Sequence, residues 1–197
     1  TGMWLIQECV RCWKEQGQKI TYDQIGKALK DTEEFMCFID PEDETFQKQC
    51  DMPKAIQEYC KKTGQKVPKS QAQIARCIYE SLAMNYMETV EILKEQKKAD
   101  YTRIYIVGGG SKADFLNQCV ANATGMQVAA GIPEATSYGN VFAQLYHAGE
   151  FHSQWEFREM LKREENIQYY EPENKDVWKF MREKYRRVIK NDGGQRI

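Results

Sequence analysis

Apolar residues in the first half of the chain return at helical spacing. Met3, Trp4, Leu5, Ile6, Cys9, Val10 and Trp13 cover more than one face of a helix over 3–13, which therefore reads as buried, with Gly17 as its stop. Thr21 and Gln24 form a capping-box pattern ahead of a helix over 22–30, whose inward residues are Ile25, Ala28 and Leu29. The stretch 35–52 is loop-like, punctuated by Asp40, Pro41 and Asp51. Pro53 stands at a first helical position, and Ala55, Ile56, Tyr59 and Cys60 carry that helix to Gly64. Ser70 and Gln73 open the longest helix, 71–96, with Ile74, Ile78, Leu82, Tyr86, Val90 and Leu93 in one stripe.

The character then changes. Ile104, Tyr105, Ile106 and Val107 form a short strand-type run, and Gly108, Gly109 and Gly110 follow at once. A helix is predicted over 111–123, with Phe115, Leu116, Cys119 and Val120 inward and Gly125 as its stop. A second strand follows at 127–130, and Pro133 and Glu134 open a helix over 135–147. Two strand-then-helix units in succession favour an α/β arrangement with a parallel strand pair. The remainder reads as helical: one helix capped by Ser153 and Glu156, and another after Pro172 and Asn174 carrying Val177, Phe180, Met181, Lys184 and Val188. The polar stretch 191–197 reads as a frayed tail. Two strands do not make a self-sufficient sheet, so sheet-forming sequence is expected upstream of Thr1.

Composition narrows the function classes. The 197 residues carry 28 Lys+Arg and 29 Asp+Glu, a net charge of -1. Nucleic acid and membrane surfaces reward a basic excess, so neither is expected as a partner. No apolar run is long enough for a transmembrane helix. The 7 cysteines are odd in number and irregular in spacing. Cys9 and Cys12 make a CxxC, but it has no second pair and no nearby His, so zinc is not expected and the thiols read as small apolar residues of a reduced, cytoplasmic protein. Cys60 and Cys77 flank a helical hairpin at Gly64 and Pro68, which can bring their sulfurs together; the cytoplasmic setting opposes a disulfide between them.

The chemistry-bearing segment is Ile104 through Ser111: strand, glycines, helix. Glycines let a backbone approach a phosphate or a nucleotide ring, and a helix start offers free N–H groups and a positive dipole end. The spacing is neither GxxxxGK[ST] nor GxGxxG, so it is not a P-loop and not a dinucleotide fingerprint. A tight turn without a ligand remains open on this segment alone.

Four stretches together widen the reading: residues 1–7, TGMWLIQ; 38–46, FIDPEDETF, with 51–53, DMP; 75–83, ARCIYESLA; and 106–111, IVGGGS, through Leu116, Asn117 and Gln118 to 133–140, PEATSYGN. With these the chain resembles the FGGY carbohydrate kinases over about 1–149, and within them the branch that phosphorylates L-rhamnulose. The resemblance implies the C-terminal part of an actin-like, ribonuclease-H-like ATPase domain, helix-rich, that binds ATP with Mg²⁺ and acts on a ketose sugar. It places the sugar-binding N-terminal kinase domain and the catalytic base upstream of Thr1, so no catalytic residue and no metal ligand is assigned within 1–197, and the chain alone is expected to be inactive. The chain then divides into an insertion-like loop and helix at 31–70, a core at 104–149 and C-terminal helices at 150–190. Gly109 matches the glycine whose backbone faces the nucleotide, between Gly108 and Gly110, and Gln7 matches a polar residue of the ATP site. Many members have Asn four residues after that glycine; Ala113 stands there instead, with Asp114 beside it. Glu134 matches the family, with a structural role at a helix start as its plainer reading, and Asn117 reads as a buried structural hydrogen-bonder. Arg76 and Glu80, four apart, read as a surface ion pair. Other sugars, L-fuculose or D-xylulose, remain alternatives, as does a non-catalytic helical interaction module.

Overall fold

A computed structural model of the chain describes residues 2–164 and 166–191. Four helices come first: α1 (Trp4–Glu15), α2 (Tyr22–Leu29), α3 (Met52–Lys62) and α4 (Gln71–Lys97). Both expected capping boxes are formed, Thr21 with Gln24 on α2 and Ser70 with Gln73 on α4. The 27-residue α4 is the post around which the core is built. Its first half is buried on nearly every face, from Ile74 to Met87, and its second half runs out into solvent.

The strands follow. β1 (Arg103–Ile106) pairs parallel with β2 (Gln127–Ala130), Ile104 opposite Val128, as expected. The connection differs in its opening: Gly108–Lys112 makes a 3₁₀ turn, and α5 (Asp114–Thr124) begins only after it. Gly108 takes φ +73°, and Ala113 at ψ 76° interrupts the helical path, so the helix cannot start at Ser111. Beyond α6 (Ala135–His147) and α7 (Gln154–Glu164), a third strand, β3 (Gln168–Tyr170), pairs antiparallel with β2. That strand corrects the all-helical reading of this region. It is three residues long and mostly exposed, too short to show an alternating pattern.

The last helix, α8 (Lys175–Asn191), stands where it was expected. Trp178, Tyr185 and Val188 are buried, whereas Val177 is 44% and Phe180 77% exposed. Trp178 meets Phe35 edge-on at 4.9 Å, and Tyr185 meets Phe38 at 5.7 Å. The tail at 192–197 lies outside the described residues.

The stretch 35–39 is irregular, as expected, yet every residue in it is buried. A buried backbone must find partners, and here side chains supply them. Glu80 accepts from Phe35 N–H at 2.9 Å, Ser81 from Ile39 N–H at 3.0 Å, and Gln65 bonds both N–H and C=O of Phe38 at 2.8 and 2.7 Å. Lys184 donates to the carbonyl of Phe35 at 2.6 Å. Arg76 and Glu80 pair at 2.7 Å but, against the surface reading, are 6% and 1% exposed. Arg76 also donates to the carbonyls of Leu29 and Thr32 and to Glu34. Spacing shows that two charges can pair; it does not show that the chain folds over them.

All seven cysteines are free. Cys9 and Cys12 are buried side chains of the core helix α1. Cys60 and Cys77 do meet across the α3–α4 hairpin, without a bond, and Cys37 joins them. Among the described residues no helix is long and apolar enough to cross a membrane.

Candidate nucleotide-binding cleft

Five parts of the chain converge on one open cleft of roughly 830 Å³, Tyr79 of α4 among them. The start of α1 contributes Met3 and Gln7; α2 contributes Tyr22, Asp23, Gly26, Lys27 and Lys30; the glycine turn and the opening of α5 contribute Gly109, Lys112, Ala113, Asp114 and Phe115; and Tyr170 of β3 closes one end. Gln7 and Gly109, far apart in sequence, are thus brought together. Gly108 and Gly110 stand behind Gly109 rather than in the lining.

The turn is held from behind. Gly108 N–H donates to the Ile132 carbonyl at 3.1 Å, and Ser111 Oγ donates to the Gly108 carbonyl at 2.7 Å. Asn117, fully buried, donates to the Ser111 carbonyl at 3.0 Å, as a structural hydrogen-bonder should. The left-handed residue of the turn is Gly108, so its lack of a side chain is a backbone requirement. At Gly109 φ is ordinary, and a Cβ placed there would meet nothing within 4 Å. The space in front of Gly109 is open cleft.

The walls mix cations with aromatic surface. Lys27, Lys30 and Lys112 outnumber Asp23 and Asp114 in the lining by one charge. Asp114 accepts from the Tyr170 hydroxyl at 2.8 Å. Burial, with that bond, pushes the Tyr170 phenol up to about 12, so it stays a donor at neutral pH. Phe115 lies 6.0 Å from Tyr79, and the Arg76 guanidinium sits 5.2 Å over its ring. Through Arg76 the buried network reaches both walls, because the same guanidinium holds the carbonyl of Leu29 at the end of α2.

Ala113 lines the cleft without a polar atom to offer, and Asp114 beside it is already engaged by Tyr170. Gln118 lines the cleft while donating to Asn122 and to the Glu171 carbonyl. Glu134 does not reach this cleft. It sits at the opening of α6, without a capping bond, in a neighbouring depression of roughly 370 Å³ that also contains Lys112. The wall from α2 was missed in the sequence reading. Gly26 was its signal: an isolated glycine inside a strongly patterned helix costs stability and asks for a reason. Nothing lies within 4 Å of where its Cβ would be, so core packing is not that reason.

A helix-rich α/β unit that opens a cleft of nucleotide size between a glycine turn and a helical wall defines the class. Residues 1–148 match the model of the FGGY family of carbohydrate kinases, C-terminal domain, and the chain belongs to that family. Its fold is that of the C-terminal part of an actin-like ATPase domain. It is 37% identical over 177 residues to the rhamnulokinase of Bacteroides thetaiotaomicron, which covers 90% of this chain and 36% of that protein. The rhamnulokinase of Bacillus subtilis is 36% identical over 176 residues, 89% of this chain and 36% of its own length. That of Oceanobacillus iheyensis is 32% identical over 169 residues, 86% of this chain and 35% of its own length. The chain therefore spans about a third of the length of these relatives.

Proposed function

We propose that this chain is the ATP-holding part of a kinase that transfers a phosphoryl group to L-rhamnulose, and that the residues which hold the sugar and take its proton lie outside these 197 residues. The observation that carries the reading is the meeting of Gln7 and Gly109 in one cleft lined by lysines and aromatic rings. The sugar comes from the rhamnulokinases to which the chain is similar.

Phosphoryl transfer asks a protein mainly for positioning and charge neutralisation. The open face at Gly109 and the uncapped start of α5 offer room and backbone N–H groups for phosphate oxygens. Lys27, Lys30 and Lys112 offset phosphate charge, while Tyr22 and Phe115 give ring surface for a base. Gln7 supplies an amide that can both donate and accept. Mg²⁺ would supply further neutralisation of phosphate charge; among the described residues the cleft shows no group of three carboxylates, and none of its lining residues is proposed as a ligand.

The test is a coupled kinase assay on the protein completed to the length of its relatives. ATP-dependent phosphorylation of L-rhamnulose is expected, well ahead of L-fuculose and D-xylulose at equal concentration. Preference for another sugar overturns the substrate, and the absence of turnover with any sugar overturns the activity. The 197-residue chain alone is expected to phosphorylate none of them.

A further inference from the structure

Three thiols converge in the core at a distance from the cleft. Cys37 belongs to the buried stretch 35–39, Cys60 to the last turn of α3 and Cys77 to the second turn of α4. They are 1%, 0% and 2% exposed, and their sulfurs all lie within 4.8 Å of one another. None is oxidised to a disulfide. We propose that Cys37, Cys60 and Cys77 form a three-thiolate site for a soft d¹⁰ cation, Cu(I) before Zn²⁺.

Geometry and donor chemistry carry this together. A trigonal centre with metal–sulfur bonds of about 2.3 Å needs its sulfurs about 4.0 Å apart, inside the observed limit. Thiolate sulfur selects soft cations over Mg²⁺ or Ca²⁺. Among the described residues no His, Asp or Glu joins the group, so a fourth protein ligand is missing. Structural Zn²⁺ almost always takes four, whereas three sulfurs alone suit Cu(I). Apolar filling alone does not call for sulfur on sulfur from three separate segments.

The ligands are also held in place. Cys37 is fixed on both sides, by Glu80 at Phe35 N–H and by Gln65 at both polar groups of Phe38. Cys60 and Cys77 sit on helices joined by one hairpin. Lys184, bonded to the carbonyls of Phe35 and Met36, brings a positive charge to the Cys37 side of the cluster and offsets part of the anionic charge that three thiolates would leave. Binding is proton exchange and not oxidation: each S–H gives its proton to solvent as its sulfur–metal bond forms. The site is independent of the proposed kinase activity, since none of the three lines the cleft.

The purified, fully reduced chain is titrated anaerobically with Cu(I) against a coloured Cu(I) chelator, and separately with Zn²⁺ against a zinc indicator. One equivalent of Cu(I) is expected to stay with the protein. Cys37→Ala, Cys60→Ala and Cys77→Ala should each weaken its retention by at least about a hundredfold, while Cys119→Ala and Cys50→Ala retain it. X-ray absorption of the Cu(I)-loaded wild type reads the same claim without a variant: three sulfurs at one distance support it, and two sulfurs or a mixed nitrogen and oxygen shell overturn it. Retention that is equal in all five variants overturns it as well.

Discussion

At 35–39 the backbone runs irregularly through the core, while at 108–110 it turns irregularly at the surface. The first stretch is surrounded by side chains that take up its polar groups: Glu80, Ser81, Gln65 and Lys184. The second is surrounded by almost none. Gly109 has open space in front of it, and the turn is fastened only from behind, through Gly108, Ser111 and Asn117. An irregular segment can thus be held in two ways: by polar side chains that take up backbone groups along its length, or by bracing one side so that the other stays free. Only the second leaves backbone N–H groups for a ligand.

The largest expected effect lies in the filled region. Glu80→Ala leaves the buried Arg76 with a single carboxylate partner, the solvent-exposed Glu34, beside the carbonyls of Leu29 and Thr32, and strands the N–H of Phe35. Breaking a buried pair from one side costs about 3–5 kcal/mol, to be read as a lower urea midpoint. Burial pushes the Glu80 carboxyl up to about 7 against the pull of Arg76. A raised folded value means that the native state holds the proton longer than the unfolded chain, so stability falls as pH rises from about 4.5 through 7. Glu80→Gln should flatten that part of the pH–stability curve; an unchanged slope would show that Glu80 is charged throughout.

Glu88 offers the opposite sign and a smaller effect. Burial alone would raise its carboxyl, but hydrogen bonds from Arg182 and Arg186 at 2.7 and 2.8 Å hold it down at about 2. Its contribution is present above about 4.5 and is lost as pH falls toward 2. Glu88→Gln should cost about 1–2 kcal/mol at pH 7, less than the buried pair because the arginines are partly solvated, and almost nothing at pH 2. Equal losses at both pH values would remove the charge from the account.

In the open region stability should hardly respond. Gly109→Val places a branched side chain where the cleft is empty and φ is ordinary, so a thermal shift within about 0.5 kcal/mol is expected. In the completed kinase the KM for ATP should rise at least about tenfold, roughly 1.4 kcal/mol, with the KM for the sugar unchanged. A rise in the sugar KM alone would assign the turn to the other substrate.

Much of the open region could be read in the sequence because its signal is local. Strand, glycines and helix are adjacent, and the parallel pairing of the first two strands followed from order alone, with β1 one residue earlier than expected. Resemblance supplied Gln7, which no pattern near it distinguishes. The filled region stayed hidden for the opposite reason. Glu80 and Arg76 look like any i, i+4 pair until 35–39 is folded over them, and burial is a tertiary property. The inward face of α8 is tertiary information in the same way: Val177 and Phe180 fit a helical spacing, but Trp178 and Tyr185 are the residues that meet Phe35 and Phe38. β3 escaped because a three-residue strand is made by its neighbour β2, not by its own alternation.

The smallest effect gives the sharpest test, because stability and function should move in opposite directions. Gly26 sits inside α2, where a glycine costs about 0.5–1 kcal/mol relative to alanine through the freedom that the unfolded chain loses. Its φ is not left-handed and nothing lies within 4 Å of the Cβ position, so neither backbone strain nor packing explains it. Gly26→Ala should therefore raise the unfolding free energy by about that amount. The methyl would also stand in the cleft, on the wall facing Gly109. If a nucleotide ring lies against α2, the same variant should bind ATP several-fold more weakly, by roughly 1 kcal/mol. A variant that is more stable and binds ATP as tightly as the wild type would leave α2 as a plain helix beside the site and move the nucleotide toward the turn. One that is less stable would show that α2 carries a strain absent from its backbone angles.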